Sequence, residues 1–294
     1  MRILITGAHG FLGNIIYRFL RLGHEVATLG TSEKSDLIVD LRKAIPVLDS
    51  FDMVVHCAGK AHVVPKTEEE KQQFFQVNHL GTKHLLDALQ QHPPRCFVFI
   101  STVAVYGREE GQHITEAIAL DGSSAYALSK IKAEEEVQQF ASEHHCNAVI
   151  LRLPLVVGCN APGNLGAMVS AIKKGYYFRL GKGDARRSMV LAQDVAELIP
   201  SLIDKQGIYN LTDGIHPSFF QLEQKIASAE NKKIKSLPIT LIKMVARMGD
   251  FISVLPLNSY RVQKLTATLT FSDEKARKEL HWQPNGVLDS NFLS

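Results

Sequence analysis

Tyr126 and Lys130 stand four residues apart in the run Tyr-Ala-Leu-Ser-Lys, a spacing that puts both side chains on one face of a helix. A phenol ionises near pH 10 and is a weak base at neutrality. An ammonium beside it, or a cationic coenzyme ring, favours the phenolate. Such a tyrosine can pass a proton to or from a hydroxyl while a hydride moves to or from the coenzyme. The pairing is common on solvated helices, so its company matters. Ser101 and Thr102 close an apolar run, Cys96–Ile100, and a hydroxyl there can bond the reacting oxygen.

A second group of residues suits a phosphate. Gly7, Gly10 and Gly13 lie in Thr6-Gly-Ala-His-Gly-Phe-Leu-Gly13, between an apolar run at Ile3–Thr6 and a helical stripe over Gly10–Leu22. Glycines there allow a tight turn, close approach of a pyrophosphate to backbone N–H groups, and helix-on-strand packing. The spacing is GxxGxxG rather than the commoner GxGxxG. His9, inside the loop, is a further candidate for a coenzyme phosphate. An acid at the end of the second strand would bond the ribose hydroxyl of NAD and repel the extra phosphate of NADP. Gly30 stands there instead, followed by Thr31, Ser32, Glu33 and Lys34. Gly30 and Thr31 therefore favour NADP, with NAD left open through Glu33.

These residues need a scaffold, and the chain supplies a β-α alternation. Strands are expected at 3–6, 26–29, 37–39, 52–56, 96–101, 148–153 and 208–211, and helices at 10–22, 73–89, 125–143 and 192–203. That pattern predicts an α/β fold, a Rossmann-type doubly wound parallel sheet covered on both faces. Residues 1–157, completed by 188–213, are expected to form a dinucleotide-binding core. Residues 158–187 and 214–294, read as helices and loops without strand alternation, are expected to form a smaller lobe. The 294 residues hold 45% apolar and 21% charged side chains, ordinary for a globular protein. A net charge of +3 implies no nucleic-acid partner. Cys57, Cys96, Cys146 and Cys159 form no CxxC pair and read as reduced cytoplasmic thiols. The opening residues read as a strand rather than a secretory leader, and no run is long enough for a membrane span.

Taken together, the motifs resemble the extended short-chain dehydrogenases/reductases, the NAD-dependent epimerase/dehydratase family of nucleotide-sugar enzymes. They are Gly7–Gly13, His56-Cys-Ala-Gly59, Asn78 with Gly81-Thr82, Ser101–Gly107, Tyr126–Lys130, Arg187–Asp194 and Ser272–Pro284. The resemblance implies that Gly7, Gly10, Phe11 and Leu12 line a pyrophosphate and that Asp40 and Leu41 meet the adenine. It places Cys57, Ala58, Gly59 and Pro154 beside the coenzyme and leaves Asn78 a structural brace. Thr102, with Ser101 next to it, would be the catalytic hydroxyl, and Lys130 would hold the ribose and tune Tyr126. Arg187 would clamp the nucleotide diphosphate with its planar fork, and Asn164 would touch substrate.

The family's dehydratases carry an Asp-Glu pair after the catalytic hydroxyl; here Val103 and Ala104 stand there and cannot move protons. Two reactions remain, reduction of a 4-keto sugar and 4-epimerisation with retained NAD. Leu155, where many epimerases keep asparagine, and Gly30 favour the reductase. The runs at 161–166 and 186–190 resemble enzymes of surface-polysaccharide synthesis, so a UDP-linked 4-keto-6-deoxy-N-acetylhexosamine is the expected substrate. A non-catalytic NAD(P)-binding regulator is the alternative of another class, and retention of Thr102, Tyr126 and Lys130 counts against it. No metal site is expected: His144 and His145 are adjacent, and His56 and His62 read as local hydrogen-bonding residues. The apolar, lysine-bearing stretch 235–256 reads as a packing helix, with a membrane-surface role as the alternative. The helices at 78–91 and 125–143 match the family's dimer-forming pair, so a homodimer is expected.

Overall fold

The computed structural model describes residues 1–240, 244, 262–263 and 266–293. Seven strands form one parallel sheet: β1 (Arg2–Thr6), β2 (Glu25–Gly30), β3 (Leu37–Ile38), β4 (Met53–His56), β5 (Cys96–Thr102), β7 (Asn147–Leu153) and β11 (Gly207–Asn210). Their order is β11-β7-β5-β4-β1-β2-β3. Chain direction across the sheet reverses between β1 and β4, and a crevice opens at that point beyond the strands' carboxyl ends. The central strands are apolar on both faces; all four residues of β4 are buried. One core, with Ile3, Ile5, Val55 and Val98, packs beneath α1 (Phe11–Leu20) and α6 (Ala192–Leu198). The other, with Leu4, Val54, Phe97 and Phe99, packs beneath α3 (Gly81–Leu89) and α4 (Ala125–His144). Such double cover is what lets a parallel sheet of apolar strands exist in water.

The helix expected at 73–89 begins earlier. Its first turns, α2 (Glu68–Phe74), are capped by Thr67, whose side chain accepts from the Glu70 N–H. The run Glu-Glu-Glu-Lys-Gln-Gln has no apolar stripe, so periodicity missed it; the cap was the available signal. A π-helical segment, Phe75–Leu80, joins α2 to α3.

Beyond Leu153 come β8 (Leu155–Val157), α5 (Gly163–Lys174), β9 (Phe178–Leu180), β10 (Met189–Leu191), α7 (Phe219–Ala229) and α8 (Glu274–Leu280). Contrary to the sequence expectation for 214–294, strands occur there: β12 (Lys235–Leu237) pairs with β9, and β13 (Leu269–Phe271) pairs with β6 (Gly111–Ile114). Each has three residues and a distant partner, too little for alternation to show. A third core, including Val157, Leu165, Ile172, Leu222, Ile226 and Val287, ties α5 and α7 to β8 and β10. Of the stretch 235–256, residues 241–243 and 245–256 lie outside the described residues, so the packing-helix and membrane-surface readings both fall there. Among the described residues no helix is long and apolar enough to cross a membrane.

Candidate functional site

The glycine loop is shaped by two close approaches. Gly7 has φ +72°, and a Cβ added to it would stand 2.7 Å from the Ala58 nitrogen; a Cβ on Gly13 would stand 2.1 Å from the Gly7 oxygen. Any side chain at either position would push the loop off β4 or α1 off the loop. The helix that follows has no side-chain cap at Gly10 and no acid in its first turn. Its first N–H groups and the positive end of its dipole are therefore open to an anion. These features fit a dinucleotide pyrophosphate.

A cavity of about 350 Å³ runs from this loop to the end of β5. Gly7, Gly10, Phe11, Leu12, Gly13, Cys57, Gly59, Ser101, Thr102, Tyr126, Lys130 and Pro154 all line it. Thr102 and Tyr126 line it together, and the Thr102 hydroxyl accepts from the Ala104 N–H at 3.2 Å. Burial pushes the Tyr126 phenol above its usual value, and the nearby Thr102 hydroxyl pulls the other way. Ser124 caps α4 by accepting from the Ala127 N–H, which fixes the helix start at Ala125, immediately before Tyr126. Lys130 is buried and donates from Nζ to the Ile100 carbonyl at 2.6 Å. Its ammonium also sits 4.1 Å from the centroid of the Phe99 ring. Burial pulls it down to about 8, while Glu134 and Cys57 act in the opposite sense. Burial pushes the Cys57 thiol up to about 12, so it is no thiolate nucleophile at neutral pH.

Three networks hold these groups in place. Asn78, in the π-helical segment, accepts from the Lys60 N–H at 2.6 Å and donates to the Lys60 carbonyl at 3.1 Å and to Ser129 Oγ at 2.9 Å. Ser129 donates in turn to the Tyr126 carbonyl at 2.8 Å. The loop after β4 and the start of α4 are thus strapped to one amide. In the second network, Thr82 donates to the Asn78 carbonyl at 2.6 Å, so its oxygen accepts from His56 Nε2 at 2.9 Å. His56 Nδ1 then accepts from the Thr6 hydroxyl at 2.6 Å. The imidazole is neutral, and burial with nearby Lys130 drives it down to about 3.

The third network corrects an expectation. Ser101 lines the cavity, yet its hydroxyl donates to Glu134, while of the two it is Thr102 whose hydroxyl acts on the Tyr126 phenol. Successive strand residues face opposite sides, which separates the two hydroxyls. Glu134 is also clasped by Arg152, Nη2 to Oε2 at 2.6 Å, with both side chains almost wholly buried. Arg152 donates onward to the Tyr106 hydroxyl at 3.1 Å, and Tyr106 to Asn210 at 2.7 Å. Sequence reasoning missed both: Glu134, at an i, i+4 offset from Lys130 on a charged helix, looks like solvated surface, and Arg152 is a lone charge inside the apolar run of β7 whose partner lies on another element.

Other predicted residues stand apart from this cavity. His9, Gly30, Thr31, Asp40, Leu41 and Ala58 are not among its lining residues. Asp40 is paired with Arg42 at 2.7 Å, and the Leu41 carbonyl accepts from His84 at 2.7 Å. Near the end of β2 the structure adds an unforeseen carboxylate: Asp36 accepts from the Thr28 N–H at 2.8 Å and hydroxyl at 2.7 Å. Those bonds hold it below the usual carboxylate range. Asn164 and Arg187 line a second cavity of about 550 Å³. Leu155 lines both, so the two share a wall. Arg187 donates to the Ala267 carbonyl and lies 5.6 Å from the Phe219 ring centroid. Opposite it, Glu223 accepts from Tyr177 at 2.7 Å and from Arg179 at 2.6 Å. Lys60, Ala61, His62 and Pro162 also line the first cavity; of these, His62 reads from the sequence only as a local hydrogen-bonding residue, and Pro162 falls in the run 161–166.

Known proteins resemble this chain in sequence and fold. The family model described as "NAD dependent epimerase/dehydratase family" matches residues 3–212. The chain is 26% identical to a UDP-glucose 4-epimerase of Vibrio cholerae over 99% of its own length and 93% of the relative's. It is 27% identical to a GDP-6-deoxy-D-talose 4-dehydrogenase of Aggregatibacter actinomycetemcomitans, over 92% and 96%. A solved UDP-glucose 4-epimerase of Thermus thermophilus, complexed with NAD, superposes with a TM-score of 0.75 at 24% identity, covering 98% of this chain and 96% of that one.

Proposed function

The chain belongs to the NAD dependent epimerase/dehydratase family, and from that premise we propose that it is a cytoplasmic NADP-dependent reductase acting at C4 of a UDP-linked 4-keto-6-deoxy-N-acetylhexosamine. The observation that carries this reading is a single cavity lined by Thr102, Tyr126, Lys130 and the glycine loop together. Residues 1–157 with 188–213 would hold the coenzyme, and 158–187 with 214–294 the nucleotide sugar.

Gly7, Gly10, Phe11, Leu12 and Gly13 would seat the pyrophosphate, and Lys130, held against the Ile100 carbonyl, would meet the ribose hydroxyls. The bound coenzyme supplies hydride exchange at the sugar carbon. Thr102 and Tyr126 would bracket the C4 oxygen. Because burial keeps the Tyr126 phenol neutral, it is set up as a proton donor to an oxygen gaining negative charge. Arg187, in the neighbouring cavity, would orient the diphosphate. Val103 and Ala104 occupy the turn after Thr102, so no carboxylate is present there for a dehydration. The missing acid at Gly30, with Thr31, Ser32 and Lys34 beside it, supports NADP, while Asp36, in the loop between β2 and β3, sets a carboxylate against Thr28. A 4-epimerase keeping NAD is the second reading, favoured by the end-to-end likeness to the Vibrio relative.

The deciding experiment identifies the nucleotide released from purified protein, then offers UDP-4-keto sugars with NADPH or NADH. Stoichiometric NADPH consumption with one 4-hydroxy product is expected. NAD retained through purification, with C4 inversion and no net consumption, would replace the reductase by the epimerase.

A further inference from the structure

Charge is distributed unevenly along this chain. Segments 158–187 and 214–294 carry 17 lysines and arginines against 8 acids, whereas the remainder carries 16 against 22. A diphosphate needs only a few cations, and Arg187 already faces its cavity. The surplus gathers elsewhere. Residues 173–183, Lys-Lys-Gly-Tyr-Tyr-Phe-Arg-Leu-Gly-Lys-Gly, contain no acid. Within them Lys174 and Lys182 are exposed, and so are Tyr176 and Phe178, at 59% and 45%. Strand pairing sets exposed Lys235 directly beside Phe178.

We propose that this face, built from β9, β12 and the segments flanking β9, docks on an anionic lipid bilayer. Aromatic rings settle at the depth of lipid headgroups, and lysines lay their stems along the apolar layer while the ammonium reaches phosphate. The surface potential of an anionic leaflet attracts such a cluster, lysine by lysine. The cations also argue against a nucleic acid. The one arginine of the strip, Arg179, is buried and held by Glu223 at 2.6 Å, leaving lysines as the exposed charges. Lysines act as point charges suited to a diffuse field, whereas nucleic-acid recognition favours the arginine fork. The excess of acids over the rest of the chain would repel a long polyanion and turn this face alone toward the membrane. Phe178 belongs to the face and to the wall of the Arg187 cavity, so docking would set that cavity beside the lipid.

The full-length protein should be sedimented with vesicles of phosphatidylcholine alone and with vesicles containing about 30% phosphatidylglycerol, and offered a DNA duplex in parallel. Binding to the anionic vesicles only is expected, falling steeply with salt. Lys174→Glu combined with Lys182→Glu should weaken it at least tenfold, and Tyr176→Ser should weaken it severalfold. Both variants should keep the parent's thermal midpoint and its turnover of soluble nucleotide sugar, a readout that follows the proposed reaction separately. No cosedimentation at low salt, equal binding by the charge-reversed variant, or preference for the duplex would each overturn the proposal.

Discussion

Tyr126 is a part-buried phenol that burial pushes up and the Thr102 hydroxyl pulls down, and its ring stays in place against Phe74, 6.1 Å between centroids. Replacing the hydroxyl alone, Tyr126→Phe, preserves that packing. Turnover should fall roughly 10²- to 10⁴-fold, while coenzyme affinity, followed by fluorescence titration, changes little. An active Tyr126→Phe enzyme would remove the proton-transfer role. Glu134 raises a question of stability instead. It holds the buried Arg152 guanidinium through the 2.6 Å contact and is bonded by Ser101 as well. Glu134→Gln leaves that cation buried without its counter-charge and should cost about 3–5 kcal/mol in urea unfolding. A loss below about 1 kcal/mol would show that the pair contributes nothing net. Thr102, Tyr126 and Lys130 were legible in the sequence because their spacing has a chemical reason. Glu134 was not, because only the fold reveals that this face of α4 is turned inward.

At the scale of elements, the segment from β4 to α3 does most to align the site. The π-helical turn carries Asn78 to the loop after β4 and to Ser129 on α4. It also lets Thr82 complete the chain through His56 to Thr6. His56 is neutral in the folded protein, driven down to about 3, whereas in the unfolded chain it titrates near 6.5. Between those values the unfolded state binds the extra proton, so stability falls as pH falls below the unfolded value. Acidification from pH 7 to pH 5 should remove about 2 kcal/mol through this residue. His56→Gln should flatten the dependence in urea titrations at several pH values; an unchanged slope would remove His56 as its source. No periodicity in the sequence announces a π turn. The extra residue per turn is tolerated because Asn78 and Thr82 gain partners there.

For the molecule as a whole, two unlike faces follow from the same fold. The helices α3 and α4 run side by side, joined by His79 to Glu136 at 3.0 Å and Lys83 to Glu136 at 4.0 Å. The sequence resemblance leads to the expectation that this pair forms a homodimer interface; if it does, light scattering at micromolar concentration should give about twice 32.6 kDa. A mass near 32.6 kDa would refute it. The region around β9 and β12 carries the basic and aromatic surface. Its strands were invisible in the sequence because three residues are too few for a period, and their pairing joins segments more than fifty residues apart.

The sequence by itself determined the sheet class, the glycine turn and the pairing of a phenol with a lysine. Each follows from local chemistry: apolar runs bury on two faces, a missing Cβ admits close backbone, and a helical offset of four aligns side chains. Only the tertiary structure decided which of two neighbouring hydroxyls meets Tyr126, which carboxylate stands near the end of β2, and which charged residues lie in the core. Those outcomes depend on strand facing and on partners distant in the chain, and a one-dimensional pattern does not encode the distance between them.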